Sequence, residues 1–132
     1  IGFCLVGSEM CIRDRINAAF NSITYQTKDI IDCLVRSGIE VDSLNLDGGM
    51  VANKTFVQQI ANLLNTEVSV PENSESTARG VAVLAGVASK TFDLELISSQ
   101  KRMSIYPDEE AHSFMAKDYK IWKELIIKLL SP

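Results

Sequence analysis

The segment Leu44–Phe56, with the sequence LNLDGGMVANKTF, holds the residues whose types and spacing best suit chemistry. A short β-prone run stops at Asp47, two glycines follow, and Asn53 is a good N-cap for the helical pattern that comes next. Gly48 and Gly49 allow close approach to the backbone, and N–H groups beside a helix N-terminus suit an anion such as a phosphate. The pattern is also typical of a plain strand-to-helix connection, because Asp-Gly is a common turn dipeptide. The P-loop and GxGxxG motifs are absent from the sequence.

The other side chains that could do chemistry favour structural roles. His112 is the sole histidine and falls early on a polar helix, so we predict a surface residue. Cys33 lies beside the apolar face of a helix and is predicted to be a small buried hydrophobe. Tyr119 and Trp122 fit a packing stripe. A solvated face is predicted for three lysines that are interleaved with Glu124: Lys120, Lys123 and Lys128.

Length and charge narrow the class of protein. The chain has 132 residues, which suits one domain, and its net charge of −4 argues against a general binder of nucleic-acid backbone. No apolar run reaches the roughly 18 residues of a membrane span. The count of 3 cysteines fits neither a disulfide framework nor a zinc site. These features predict a cytosolic α/β or α domain.

The first fifteen residues differ in character from the rest. Arg13 and Arg15 follow the apolar run, which is the wrong charge order for a signal peptide. Leu5–Arg15 closely resembles a translated sequencing-adapter peptide. We therefore interpret residues 1–15 as an artefact and residues 16–132 as the domain, with a native strand over Ile1–Val6 as the alternative.

Hydrophobic periodicity predicts the first half of the fold. An amphipathic helix that ends at Ser37-Gly38 is expected to bury one face: Ile16, Ala19, Phe20, Ile23, Thr27, Ile30, Ile31 and Leu34. A β-prone run, Ile39–Leu46, precedes the glycines. A second helix begins near Asn53, with a buried stripe of five residues: Phe56, Val57, Ile60, Leu63 and Leu64.

The second half alternates in the same way. Glu67–Val70 is predicted to be a strand, and residues 71–76 are predicted to form a loop. A helix over Ala78–Ser89, capped by Ser76 or Thr77, has a predicted apolar stripe: Val81, Leu84, Val87 and Ala88. A short helix over Asp93–Ile97 and an extended Ser104–Pro107 follow. A last helix from Asp108 has a packing stripe: Met115, Tyr119, Trp122, Ile126 and Leu129. The order predicts an α/β layer with a small sheet.

Three segments resemble the C-terminal domain of glycerol kinases, carbohydrate kinases of the actin-like ATPase superfamily. They are ITYQTKDIID, LNLDGGMVANKTFVQQIANLLNTEVSVP and STARGVAVLAGVA. The resemblance covers Ile16 to Ala88, with a weaker echo over Tyr119–Leu130. It implies an α/β fold, part of the C-terminal actin-like ATPase (ribonuclease H-like) lobe, with a small sheet and flanking helices.

The resemblance also implies a reaction, the transfer of the γ-phosphoryl group from Mg-ATP to glycerol. Gly48 and Gly49 match the family turn that approaches the α-phosphate, and Asn53 matches the Asn that reaches the adenine. Asp47 matches the Asp before the turn, for which we expect a role in turn geometry. We expect the catalytic base, the glycerol contacts and the phosphate loops to lie upstream of Ile16. The resemblance therefore assigns neither a catalytic residue nor a metal ligand to this chain. The implied cofactors are ATP and Mg²⁺. The implied partners are glycerol, a missing N-terminal lobe of the same chain and a possible homo-oligomer. The implied location is the cytoplasm.

Two departures from the family pattern keep other functions open. Arg79 stands where the family has an apolar residue, and the ASKTF segment lacks the aromatic ending typical of the family. A kinase for another sugar or polyol and a non-catalytic nucleotide-binding paralogue are the alternatives. We also expect exposed apolar surface where the missing lobe would pack.

Overall fold

The computed structural model describes residues 3–72, 75–93 and 101–131, with backbone alone for residues 3–11. The described part is a mixed α/β structure in which helices flank a small sheet, as predicted. Its elements are α1 (Phe3–Arg36), β1 (Ser43–Asn45), a short 3-10 helix (Gly49–Ala52), α2 (Lys54–Leu64), β2 (Glu67–Pro71), α3 (Ser76–Ala88), β3 (Arg102–Ile105) and α4 (Glu109–Leu130).

The sheet has three strands in the order β1-β2-β3. β1 pairs with β2 in parallel, with Asn45 opposite Ser69, and β3 pairs with β2 in antiparallel, with Arg102 opposite Pro71. The predicted strand Ile39–Leu46 is shorter than expected. Ile39 still caps α1, because its N–H group donates to the Leu34 carbonyl at 3.1 Å, so the extended run starts later.

The core lies between α2 and the sheet. Its buried side chains come from both layers: Phe56, Val57, Ile60, Ala61, Val68 and Val70. The predicted stripe of α2 is confirmed, and so is its N-cap Asn53. Asn65 ends α2 in the left-handed conformation with φ of 51°. This layer fixes the position of the segment that connects β1 to α2.

The predicted buried face of α1 is wrong in most positions. Among the residues of this helix whose side chains the structure describes, 12–36, Thr24 and Tyr25 are buried, whereas Ile23 and Ile30 are 40% and 63% exposed. Cys33 is exposed, contrary to its predicted burial. The helix has apolar side chains on more than one side, and periodicity does not say which side meets a partner.

The N-terminal alternative, a strand over Ile1–Val6, is wrong for the residues that the structure describes there. α1 begins at Phe3 and continues without a break to Arg36. A helix that passes through residue 15 neither supports nor contradicts an artefact at residues 1–15, which stays a prediction.

Helix α3 begins at Ser76, and Glu75 rather than Ser76 or Thr77 takes the N-cap position. Its predicted apolar stripe is wrong, since Val81 and Leu84 are exposed and Val83 is buried instead. The buried side includes Gly86, on which the Phe92 ring lies. The helix predicted over Asp93–Ile97 falls outside the described residues except for Asp93, which is not helical.

Helix α4 begins after the predicted Asp108, whose carboxylate accepts from the Ala111 N–H group at 2.8 Å. The predicted stripe is half-buried at Met115, Tyr119, Trp122 and Ile126, but Leu129 is exposed. Within the described residues, no helix has the length and apolar character needed to cross a membrane. The predicted extended segment is strand β3, which starts earlier than expected, at Arg102.

Candidate functional site

The glycine turn, Asp47–Gly49, follows β1 after one intervening residue, Leu46. The Leu46 N–H group still donates to the Ser69 carbonyl at 2.9 Å. Gly48 then adopts φ of 101° and ψ of 175°, a conformation essentially restricted to glycine. Its N–H group donates to the Asp47 carboxylate at 2.7 Å, which gives Asp47 the turn role expected from the sequence. The Gly48 carbonyl accepts from the Val51 N–H group at 3.2 Å and so begins the 3-10 helix.

Asn53 lies where the 3-10 helix gives way to α2. Its side-chain oxygen accepts from the N–H groups of Thr55 and Phe56 at 3.1 and 3.2 Å. This atom therefore caps α2 and is not available to a ligand donor. The amide nitrogen of the same side chain has no hydrogen bond to any described residue, so the predicted adenine contact stays a prediction for that nitrogen.

A cavity of about 300 Å³ lies against the turn, and Thr27 of α1 belongs to its wall. The remaining lining residues come from the turn and α2: Leu46, Asp47, Gly48, Gly49, Met50, Val51, Phe56 and Ile60. Of the three predicted nucleotide residues, the structure places both glycines on this cavity and Asn53 outside its lining. Of the Tyr-Gln-Thr segment of α1, Thr27 lines the same cavity as the glycine turn.

A second hollow of about 210 Å³ shares Val51 with the first cavity. Most of its lining is apolar, and Lys54 and Glu72 supply its charged side chains; the others are Ala52, Val70, Pro71, Met103 and Ile105. The 3-10 helix thus lines both hollows, whereas the glycine turn lines only the first of these two.

Arg102 is a residue of this region that sequence reasoning missed. Its Nε donates to the Ser69 hydroxyl at 2.9 Å, and its Nη2 donates to the carbonyls of Ser69 and Leu46 at 3.1 and 3.3 Å. One guanidinium of β3 therefore contacts β2 and the last residue before the glycine turn. No sequence motif predicts this role, because two of its three acceptors are backbone carbonyls.

His112 is half-buried and structural, so its predicted surface position is wrong. Its Nδ1 lies 2.7 Å from the carbonyl of Asn62, near the end of α2. The buried side chain of Asn62 accepts from the Asp108 N–H group and from Gln58 Nε2, each at 2.9 Å. These bonds attach the start of α4 to α2.

An aromatic and ionic cluster joins α1 to α4. Tyr25 packs against Tyr119 and Trp122 with ring centroids 5.7 and 5.4 Å apart, which confirms the predicted packing role of the last two. The Tyr119 hydroxyl donates to Asp29 at 2.6 Å, and Lys123 donates to the same carboxylate oxygen at 3.0 Å. The predicted solvated face is confirmed for Lys120 and Lys128, which are exposed, whereas Lys123 is half-buried and ion-paired with Asp29.

The cluster changes the proton affinities of its members. Burial raises the pKa of Asp29, but the hydrogen bonds from Tyr119 and Lys123 outweigh it and hold this pKa below its ordinary value. Burial and the bond to Asp29 raise the pKa of Tyr119. The bonds to Asp29 and Tyr119 raise the pKa of Lys123. The arrangement stabilises the contact between two helices and shows no feature of a catalytic site.

The part of the chain that the structure describes contains no group of three or more His, Cys, Asp or Glu side chains that could hold a metal ion. The cavity against the glycine turn, which both predicted glycines line, is the best candidate site among these residues.

Comparison with known proteins identifies the family. The profile described as "FGGY family of carbohydrate kinases, C-terminal domain" matches residues 11–89. A glycerol kinase from Vibrio cholerae is 40% identical over 117 residues, which cover 84% of this chain and 23% of the relative. Glycerol kinase 1 from Pseudomonas aeruginosa is 31% identical over 125 residues, which cover 91% and 25%. The chain thus spans about a quarter of the length of these relatives.

Solved structures share the fold. Glycerol kinase from Plasmodium falciparum, determined with ADP, superposes with a TM-score of 0.63 at 28% identity, over 86% of this chain and 23% of that one. Xylulose kinase from Lactobacillus acidophilus superposes with a TM-score of 0.69 at 18% identity, over 85% and 24%. The α/β lobe implied by the sequence resemblance is confirmed, and the chain belongs to the FGGY family of carbohydrate kinases.

Proposed function

We propose that this chain is the nucleotide-binding part of an ATP-dependent glycerol kinase that forms glycerol 3-phosphate. The observation that carries the proposal is the open glycine turn: a Cβ atom built on Gly48 or Gly49 would meet nothing within 4 Å. The relatives of about 31–40% identity are glycerol kinases, and a structurally similar glycerol kinase was determined with ADP. The proposal therefore assigns the turn to the phosphates of a bound nucleotide.

The geometry of the turn fits such a ligand. The Gly48 N–H group is taken by Asp47, but the N–H groups of Gly49 and Met50 stand at the start of a short helix, where backbone donors have no partner within the helix. The open space beside the glycines lets a phosphate oxygen approach these donors closely. In the proposed site, Asn53 Nδ2 donates to a ring nitrogen of the adenine while its oxygen caps α2.

The chain's contribution to phosphoryl transfer is positioning. In the proposed site the turn holds the nucleotide at a fixed place, which lowers the entropy lost when the acceptor hydroxyl lines up with the γ-phosphorus. Mg²⁺ neutralises phosphate charge when it is bound, but the described residues offer it no ligand cluster. The base that accepts the glycerol proton and the metal ligands are assigned to the remainder of the protein.

The test uses the complete protein that contains this chain. We expect ATP consumption that depends on glycerol, measured by coupling ADP formation to NADH oxidation. A folded protein that binds ATP but shows no turnover with glycerol would contradict the glycerol assignment. A panel of other polyols and sugars then separates a kinase for another acceptor from a non-catalytic nucleotide-binding protein, since the latter turns over none of them.

The proposal includes a location and partners. The protein is proposed to act in the cytoplasm, where ATP is available, and the exposed apolar sides of α1 and α3 are proposed to contact the other lobe of the same protein. A homo-oligomer is the further partner that the resemblance implies. Fractionation of cells and light scattering of the complete protein measure these two properties.

A further inference from the structure

We propose that Arg102 is a positioning residue for the glycine turn, acting through the carbonyl of Leu46. The inference follows from where its three hydrogen bonds end, and its functional consequence rests on the proposed nucleotide site. Arg102 does not line either cavity, so its action on a ligand is indirect.

The turn is held weakly by its own strand. β1 contributes three paired residues, and the last sheet contact before the turn is the bond from the Leu46 N–H group to the Ser69 carbonyl. A strand this short restricts the direction of the following peptide poorly. The carbonyl of Leu46 accepts its bond from Arg102 and from no other described residue, so this guanidinium sets the orientation of the Leu46–Asp47 peptide.

The position of Arg102 in β3 gives it this reach. It stands opposite Pro71 on the antiparallel edge of β2, and its side chain passes Ser69 before it meets Leu46. A guanidinium donates in a fixed, planar fork, whereas a lysine ammonium is a single point on a flexible stem. Because the fork spans two acceptors on Ser69 of β2 and one on Leu46 after β1, lysine at this position cannot reproduce the contact.

The consequence for the site is pre-organisation. Without the Arg102 bond the Asp47–Gly49 turn samples more conformations, and a nucleotide that binds the turn backbone must first order it. We expect weaker nucleotide binding with an almost unchanged rate at saturating nucleotide. Loss of one charge-assisted bond of this kind corresponds to about a tenfold rise in the dissociation constant.

Two measurements on the complete protein test the inference. Amide hydrogen exchange is followed in the segment 46–53, where the N–H groups of Leu46 and Val51 report on the turn. The KM for ATP is measured beside kcat. For Arg102→Lys and Arg102→Gln we expect the exchange rate of amide hydrogens in this segment to rise about tenfold. We expect the KM for ATP to rise by a similar factor, and kcat to stay within about twofold of wild type.

Control variants separate positioning from general effects. Lys101→Gln removes a neighbouring positive charge and is expected to leave exchange and KM unchanged. Ser69→Ala removes the Nε acceptor but keeps the Leu46 contact, so a smaller rise is expected, and it provides a mild variant should Arg102→Gln fail to fold. If amide hydrogens in segment 46–53 exchange in Arg102→Lys at the same rate as in wild type, the inference is overturned while the proposed function stays intact. Failure of the wild-type protein to bind ATP would instead overturn the proposed function, and the exchange result would still decide the role of Arg102.

Discussion

Gly48 and Gly49 are neighbours, but they are expected to respond differently to the addition of a methyl group. Gly48 has φ of 101°, where an L residue is strained, so Gly48→Ala should cost about 1–3 kcal/mol of stability. Gly49 has an ordinary φ and open space beside it. Gly49→Ala should therefore change stability by less than about 0.5 kcal/mol.

Gly49→Ala is expected to weaken nucleotide binding even though it leaves stability almost unchanged. The methyl group of Gly49→Ala would occupy the space through which a phosphate approaches the backbone, and we expect the KM for ATP to rise about tenfold. Thermal unfolding measures the stability of both variants, and steady-state kinetics measures their KM for ATP. Unchanged KM in Gly49→Ala would remove the turn from the nucleotide site.

Asn53 combines a cap and a proposed ligand contact in one side chain, and substitution can separate them. Asn53→Ser retains a side-chain oxygen for the N–H groups at the start of α2, whereas Asn53→Ala removes it and should cost about 1 kcal/mol. Both variants lack the amide nitrogen, so both should raise the KM for ATP. A wild-type KM in Asn53→Ser would show that the residue only caps the helix.

The difference between Asn53 and Arg102 shows what a sequence reveals at this scale. Asn53 is recognisable because an N-cap acts on residues two and three positions later. Arg102 acts on residues 33 and 56 positions away, through backbone carbonyls that every residue possesses. The surface position predicted for His112 is wrong for the same reason, since its partner is the carbonyl of Asn62.

Among the elements, the C-terminal end of α3 depends on the absence of a side chain. A Cβ on Gly86 would lie 2.1 Å from a ring carbon of Phe92. Gly86→Ala should displace this ring and cost about 1–3 kcal/mol, despite the gain in helix propensity. In a Phe92→Ala background the same change should cost much less, and chemical unfolding of the four proteins of this cycle measures the coupling.

Gly80 of the same helix is the matched control. A Cβ atom added to Gly80 would meet nothing within 4 Å, so Gly80→Ala should stabilise the helix by about 0.5–1 kcal/mol. Equal effects at Gly80 and Gly86 would contradict the contact with Phe92.

The contact between α1 and α4 should depend on pH. The pKa of Asp29 is lowered in the folded state, so its contribution to stability is present above the unfolded pKa of about 3.9 and is lost as pH falls through the folded value. Wild type should be more stable than Asp29→Asn at pH 7, and this difference should shrink below about pH 4.

Urea unfolding at several pH values measures the effect, with Asp42→Asn as the control at an exposed carboxylate. We expect the Asp42 variant to follow wild type throughout. A difference between wild type and Asp29→Asn that is constant down to about pH 2 would contradict the ion-pair contribution.

Periodicity predicts the helices better than it predicts their contacts. The stripe of α2 is correct because this helix has one strongly apolar face and covers the sheet directly. α1 and α3 have apolar residues on several sides, and the tertiary structure selects Thr24, Tyr25 and Val83 for burial. Strand β1 is shorter than the β-prone run predicts because Ile39 belongs to the cap of α1.

At the scale of the whole molecule, large apolar side chains remain in contact with solvent. Those on α1 include Ile16, Ile23, Ile30, Leu34 and Val35. Because the chain spans about a quarter of the length of its relatives, the rest of the protein is the proposed partner for this surface.

Ile30→Lys tests this proposal in the complete protein. A lysine buried in the proposed contact should lower stability by about 1–3 kcal/mol, whereas Asn17→Lys, at an exposed polar residue of the same helix, should have an effect within about 0.5 kcal/mol. Differential scanning calorimetry makes the comparison. Equal melting temperatures would place this side of α1 in solvent.

The reach of Arg102 across the sheet has a consequence for the order of synthesis. The match to the family profile ends at residue 89, before β3 has been made, although the glycine turn itself lies at residues 47–49. On a ribosome the turn emerges early, but the side chain that fixes Leu46 is added 56 residues later. A nascent chain, or a protein truncated after residue 89, therefore has every residue of the glycine turn. It lacks the Arg102 contact that orients this turn.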